Sequence, residues 1–344
     1  MAKKIGGLFV EVVTPLQENG AVDFGELERH LNFLMLAGVD GVVLADLAGQ
    51  APTLSWDEQM QIICRGGQII AGRCRTVGCT GSNSTAEAEK NSVEAALLGG
   101  VDALGIYTGY LVGAASRQLW KNFYDPVARA VRIANNQIEI IPYDLPDRGA
   151  NGLTPYDLEA LVNNHPNVTA VVSTAPLDRL RELRAQLPPG FPVMCRHDRR
   201  AVEMMTDPEV GGNGLFSVVA NVFPAAIKDM VDAFLAGDWI AGRRIYDNLE
   251  PLFRLVVVQG VDSAQRYPSP CAIMTVTGIL GMNSGCLRPP LGMMEETAVH
   301  QVVSALREVF RRAPEYFAPI VDHYGRRVAE RLFDDTVWQS FIAE

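Results

Sequence analysis

Lysine is scarce in this chain. Five residues (Lys3, Lys4, Lys90, Lys121 and Lys228) are all it has in 344, and none follows a run that reads as a buried strand. A reaction that starts with a lysine amine attacking a carbonyl therefore has no evident nucleophile. Basic charge is also in deficit: 30 Lys and Arg against 40 Asp and Glu give a formal net charge of −10. That leaves no basic face for a nucleic-acid partner, and an anionic ligand would need a local cluster of arginines. The six cysteines are scattered and form no C-x-x-C pair, so neither a zinc site nor a disulfide framework is expected. Reduced thiols in a cytoplasmic protein are the expectation instead. No apolar stretch is long enough for a membrane span, and Met1–Gly7 lacks the apolar segment of a signal peptide.

What is present alternates. Short apolar runs at Leu8–Val13, Gly41–Leu44, Thr76–Gly78, Ala103–Ile106, Ile138–Tyr143, Val168–Val172, Val193–Cys195 and Leu215–Val219 read as strands buried on both faces. Helix starts fall between them. Asp23 with Glu26, Ser55 with Glu58 and Ser84 with Glu87 have capping-box spacing. Thr154 precedes Pro155, which suits the first helical position. The helix at 24–37 puts Leu27, Leu31 and Leu34 on one face. Gly38-Val39-Asp40-Gly41-Val42 recurs as Gly100-Val101-Asp102-Ala103-Leu104, a helix-ending glycine followed by entry into a strand. Eight such units argue a closed α/β barrel of the (β/α)8 TIM type. An open doubly wound sheet would place a glycine-rich loop after its first strand, where this chain has Thr14-Pro15-Leu16.

From Pro224 the pattern is helical only, at 224–236, 239–258, about 270–280 and 297–312. In the last of these Val299, Val302, Val303, Leu306, Val309 and Phe310 form one stripe. The expected divisions are a barrel over 1–223, a helical domain over 224–312 and an aromatic-rich tail over 313–344. Tyr316, Phe317, Ile320, Leu332, Phe333, Trp338 and Phe341 in that tail call for burial on the body or on a neighbouring subunit.

In such a barrel the chemistry sits at the carboxyl ends of the strands. Those positions carry Asp46 to Leu54, Cys79 to Thr85, Tyr107 to Leu111, Tyr143 to Arg148, Ser173-Thr174 and Cys195-Arg196-His197-Asp198. Several of these segments, with Gly38-Val39-Asp40-Gly41, Pro52-Thr53-Leu54, Gly81-Ser82-Asn83-Ser84-Thr85, His165-Pro166-Asn167 and Ser217-Val218 with Asn221, resemble the dihydrodipicolinate synthase/N-acetylneuraminate lyase family of class I aldolases over about Gly6 to Arg312. The resemblance implies a barrel with a carboxyl-terminal helical domain, assembled as a homotetramer or homodimer and working on small 2-oxo acids without a cofactor. It places Tyr143 at the family's acid/base tyrosine and Arg148 at a carboxylate anchor. It also places Val172 at the family's imine-forming lysine, Leu111 at the tyrosine one subunit lends to its neighbour, and Asp46-Leu47-Ala48-Gly49-Gln50 at the family's Gly-Thr-Thr-Gly-Glu loop. Valine cannot form an imine.

The reading is a divergent barrel that binds a small carboxylate, lyase- or hydratase-like if catalytic. Tyr143 is its acid/base and Arg148, Asp46, Gly49, Ser217, Arg196 and His197 are ligand contacts. Two alternatives stand beside it. One is a catalytically silent binding or partner subunit. The other is a metal- or cysteine-dependent lyase in which Cys195 and His197 share a strand face, or in which Asp46, Asp144, His197 and Asp198 gather a metal. Against each site stands a plainer account: a buried tyrosine bonded to backbone, a surface ion pair of Arg148 with Asp144 or Asp147, and a solvated helix start for Arg196, Arg199 and Arg200.

Overall fold

A computed structural model describes residues 4–108, 113–146, 152–256, 258–259 and 266–343. Eight strands close into a barrel in sequence order: β1 Gly7–Glu11, β2 Gly41–Leu44, β3 Arg75–Cys79, β4 Ala103–Tyr107, β5 Glu139–Asp144, β6 Val171–Ser173, β7 Val193–Cys195 and β8 Gly214–Ser217. Every strand residue except Arg75 and Glu139 is buried, which is why the runs are continuously apolar rather than alternating. Helices α1 Phe24–Leu36, α2 Trp56–Ile70 and α3 Thr85–Leu98 follow the first three strands. Two helices, α4 Ser116–Leu119 and α5 Asp125–Ala134, follow β4. Then α6 Pro155–Asn164, α7 Leu177–Gln186 and α8 Ala201–Thr206 each follow one strand. The capping residues act as the sequence indicates: Asp23 accepts from Glu26 N, Ser55 exchanges bonds with Glu58, and Thr154 accepts from Asp157 N.

The internal repeat has a physical meaning. Gly38 and Gly100 adopt positive φ, +74° and +62°, a conformation that costs glycine little. The aspartate two residues later then caps the start of the preceding strand. Asp40 Oδ2 accepts from Leu8 N at 3.0 Å, and Asp102 Oδ2 accepts from Thr76 N at 2.8 Å. Strand bounds differ from expectation by two residues or more at three places: β6 begins at Val171 rather than Val168, and β1 and β8 end early. β1 stops at Glu11 because Val13 N donates to the Asn221 side chain instead of a strand. β8 stops at Ser217 because its hydroxyl accepts from Ala220 N and starts a 3-10 turn over Val219–Asn221.

The packing groups residues into two compact units, Met1–Phe9 with Asp40–Ala45 and Gln59–Phe216, and Val10–Val39 with Asp46–Glu58 and Ser217–Glu344. These cut across 223/224 and 312/313, which stay a proposed division of the chain by order. The second unit holds α9 Pro224–Leu235, α10 Trp239–Phe253, α11 Ser269–Ile279 and α12 Glu296–Arg312. The tail adds α13 Ala318–Tyr324, α14 Val328–Phe333 and α15 Asp335–Gln339. The segment after Pro224 is not wholly helical. An antiparallel pair joins β9 Val258–Gln259 to β10 Arg266–Tyr267; two-residue strands are too short to leave a period in the sequence.

The tail packs on its own unit. Phe317, Ile320, Tyr324, Val328, Leu332 and Trp338 are buried. Arg331 donates to the carbonyls of Gly278 and Ile279 at the end of α11, where a cation is favoured. The Phe341 ring fills the space over Gly278, where a Cβ would lie 2.4 Å from it.

Arg288 joins distant pieces of the same unit. It forks onto both carboxylate oxygens of Glu58 at 2.7 and 2.8 Å and donates to the carbonyls of Gly20 and Thr53. Its backbone N–H bonds to Gln50 Oε1 at 3.0 Å. Arg288→Met is expected to lower stability by about 2 kcal/mol. That lies below the cost of breaking a fully buried pair because both side chains keep some solvent contact; urea unfolding measures it.

Candidate functional site

One layer of side chains faces the interior of the barrel near the carboxyl ends of the strands. Tyr107, Tyr143, Val172 and Met194 lie level on β4 to β7, and residues paired in register point to the same face. Tyr143 shows which face. Its hydroxyl lies 3.6 Å from Cys79 Sγ on β3, and its ring meets Phe216 on β8 edge-on with centroids 6.1 Å apart. Phe216 in turn stacks on Phe9 at 5.0 Å. Contacts with β3 and β8 are reached only across the barrel. Gly105 makes room for them: a Cβ there would lie 3.0 Å from the Tyr143 hydroxyl and 2.9 Å from Cys79 Sγ.

Tyr143 is held from behind as well. Between α4 and α5 the helix widens into a π turn over Trp120–Tyr124, an irregularity often found at functional sites. The Tyr124 hydroxyl donates to the Tyr143 carbonyl at 3.0 Å. Burial and the nearby Asp144 carboxylate raise the Tyr124 phenol above its ordinary range, so it stays a donor.

Above this layer the Arg196 guanidinium lies over the Tyr143 ring, its carbon 5.6 Å from the centroid, within cation–π range. Arg196 follows Cys195, the last residue of β7, and shares the inward side with Met194. The cation over Tyr143 therefore comes from the residue after β7, and the residue level with Tyr143 on β6 is Val172, 0% exposed.

The opposite side of the same strands is used differently. Asp144 accepts from Ser173 Oγ at 3.1 Å, Leu153 N at 3.2 Å and Arg179 at 3.2 Å. Its ionic partner among the described residues is thus Arg179. Cys195 pairs in register with Leu215 and with Ser173, which puts it on this outer side. Its thiol meets the His197 backbone carbonyl at 3.4 Å, not the imidazole, and burial pushes the thiol up to about 12. The cysteine–histidine nucleophile is therefore corrected: a thiolate is disfavoured there. His197 follows with an extended backbone (φ −149°, ψ 100°). The metal alternative does not assemble either; among the described residues no three His, Cys, Asp or Glu side chains gather to hold an ion. Arg200 spends its guanidinium on the carbonyls of Thr174 and Ala175 and on Glu203, so it braces the loop after β6.

In the second unit, Asp46 is buried and accepts from Leu47 N at 2.7 Å, opening a 3-10 turn. Gly49 is needed because a Cβ would lie 2.8 Å from the Val12 carbonyl. Ser217 caps its own turn. Arg148 and Leu111 lie outside the described residues. Of the lysines in the described residues, Lys4 and Lys90 are exposed, Lys121 lies over the Trp120 ring at 3.8 Å, and Lys228 pairs with Asp232 on α9. Tyr124, Met194 and Phe216 join the Tyr143 cluster without having been singled out in the sequence, and Cys79 joins it from the end of β3. Gly105, a lone glycine inside a strand, was the available signal, since such a glycine marks close approach.

A profile of the dihydrodipicolinate synthetase family matches residues 4–309. The chain belongs to this family. A 4-hydroxy-tetrahydrodipicolinate synthase of Methanococcus maripaludis is 30% identical over 304 residues, spanning 88% of this chain and 98% of that one. The dihydrodipicolinate synthase of Aquifex aeolicus superposes with a TM-score of 0.79 at 27% identity, covering 90% and 98% of the two chains. The 4-hydroxy-tetrahydrodipicolinate synthase of Methylacidiphilum fumariolicum SolV gives 0.81 at 25% identity, covering 92% and 99%. The tail from Pro314 lies beyond the matched span. No helix among the described residues is long and apolar enough to cross a membrane.

Proposed function

We propose that this barrel binds a small carboxylate of the 2-oxo acid kind at the carboxyl ends of its strands, and that any lyase or hydratase reaction there proceeds without an imine. The observation that carries this reading is an inward valine, Val172, level with Tyr143 on the neighbouring strand, together with a cation, Arg196, over the Tyr143 ring. A valine offers no lone pair to a carbonyl carbon, so the electron sink of an iminium is missing. A guanidinium instead holds a carboxylate through charge-assisted, forked hydrogen bonds. Tyr143 supplies a phenol to move a proton to or from the bound acid. Arg148 and, by their place at strand ends, Asp46, Gly49 and Ser217 are further proposed contacts. His197, two residues past the end of β7, is a further proposed contact. The assembly proposed by family likeness is a homotetramer or homodimer.

Pyruvate and 2-oxobutyrate are expected to raise the thermal midpoint of the protein. In Arg196→Met, the pyruvate dissociation constant measured by calorimetry is expected to rise about tenfold to a hundredfold, the range for losing one hydrogen bond to a charged group. If no small carboxylate stabilises the unmodified protein, the reading falls and the silent partner subunit takes its place.

A further inference from the structure

The tail ends one hydrogen-bonded chain that reaches the barrel. Tyr324 on α13 is buried, and its hydroxyl lies 3.0 Å from Nδ1 of His30 on α1. His30 Nε2 lies 2.9 Å from Asn221 Oδ1. The orientation of the Asn221 amide is fixed by three other partners: Nδ2 donates to the Glu11 carbonyl at 2.7 Å and the Val218 carbonyl at 2.8 Å, and Oδ1 accepts from Val13 N at 3.0 Å. A carbonyl oxygen cannot donate, so His30 Nε2 carries the proton. A neutral imidazole has one N–H, so Nδ1 is the acceptor and Tyr324 must be the donor. The imidazole is neutral because burial, with a smaller push from His323, lowers His30 to about 4. The donors therefore run one way: Tyr324 to His30, His30 to Asn221, Asn221 to Glu11 and Val218.

We infer that the carboxyl-terminal tail helps to build the barrel mouth, with Tyr324 and His30 as positioning residues that hold Asn221 where it ties the end of β1 to the turn after β8. That turn carries Ser217, and the ends of barrel strands are where reactive groups are mounted. Asn221 is 0% exposed and its side chain makes four hydrogen bonds, so it has no slack to compensate for a shifted His30. The position of Tyr324 is set by more than its hydroxyl. Arg29 lies over its ring at 4.7 Å and donates to its carbonyl at 3.0 Å, His323 Nε2 meets the Arg29 carbonyl at 2.9 Å, and Phe33 meets the Tyr324 ring edge-on at 5.4 Å. Asn221 falls inside the span shared with the family, residues 4–309, and Tyr324 lies beyond it. The tail thus supplies from outside the common fold a donor that the common fold uses.

The test uses the full chain with labelled histidine, comparing Tyr324→Phe with Phe33→Leu, which loosens the same packing and spares the hydroxyl. In Tyr324→Phe the His30 Nδ1 nitrogen resonance moves downfield, as an acceptor stripped of its donor does, while the proton stays on Nε2. Amide exchange at Val13 speeds up about three- to tenfold, the equivalent of one ordinary hydrogen bond, and exchange on β4 is unchanged. In Phe33→Leu the Nδ1 resonance stays put. An unmoved Nδ1 resonance or unchanged Val13 exchange in Tyr324→Phe overturns the inference, as does the same Nδ1 shift in Phe33→Leu, which would make it a matter of packing alone.

Discussion

Pyruvate followed by borohydride is expected to leave the mass of this protein unchanged, and the Val172→Lys variant is expected to gain one reduced pyruvate adduct. Both halves follow from where amines can and cannot be. Among the described residues Lys90 and Lys4 are exposed, Lys121 lies over the Trp120 ring and Lys228 is bound to Asp232, so none of these amines stands in the Tyr143 layer. A lysine at 172 would start from a fully buried position on the interior face, level with Tyr143 and below the Arg196 guanidinium. Desolvation and a neighbouring cation both favour its neutral, nucleophilic form. The phenol of Tyr143 would stand beside the carbonyl it attacks. Intact-protein mass spectrometry reads the adduct and peptide mapping locates it. An adduct on the unmodified protein would show that some other nitrogen enters the site, and the non-covalent reading would be abandoned.

Stability is expected to fall in two successive stages as the solution is acidified. The first belongs to His30, held neutral in the folded chain with its pKa lowered from 6.5 to about 4. Above 6.5 neither state takes the proton and the group makes no difference. Between 6.5 and about 4 the unfolded chain binds a proton that the folded chain refuses, so stability drops with falling pH and levels off below 4. The loss integrates to about 3 kcal/mol. The second stage belongs to Glu58, whose carboxyl the Arg288 fork holds down at about 2 against an ordinary 4.5. Its contribution is present above 4.5 and is lost as pH falls toward 2. Urea unfolding at stepped pH separates them. In His30→Gln the fall between pH 6.5 and 4 should flatten while the lower stage remains. An unaltered profile in that variant would mean that His30 is not the group responsible.

The architecture was legible because a strand buried on both faces writes itself as a short apolar run, and a cap writes itself as Asp, Ser or Thr three residues before a carboxylate. Asp23, Ser55 and Thr154 all behave this way. The ends of β1 and β8 were not legible, since the groups that stop them, Asn221 and Ser217, act across the closing seam or through a local turn. The site was half legible. Period-two alternation accounts for Tyr143 and Asp144 lying on opposite sides of β5. The same rule paired Cys195 with His197 but could not say that the Cys195 side is the outer one. That requires knowing that Cys195 is level with Ser173, whose hydroxyl bonds Asp144. The Cys79 thiol at the Tyr143 hydroxyl is a meeting of strands about sixty residues apart, and no local pattern encodes it.

The π turn at Trp120–Tyr124 has a consequence for how this helix tolerates change. Each residue advances a helix by about 100°, so the surplus one swings every side chain upstream relative to those downstream. Deleting any single position there would restore regular winding and at the same time carry the Tyr124 phenol away from the carbonyl it grips. That stretch must keep its length as well as the Tyr124 hydroxyl.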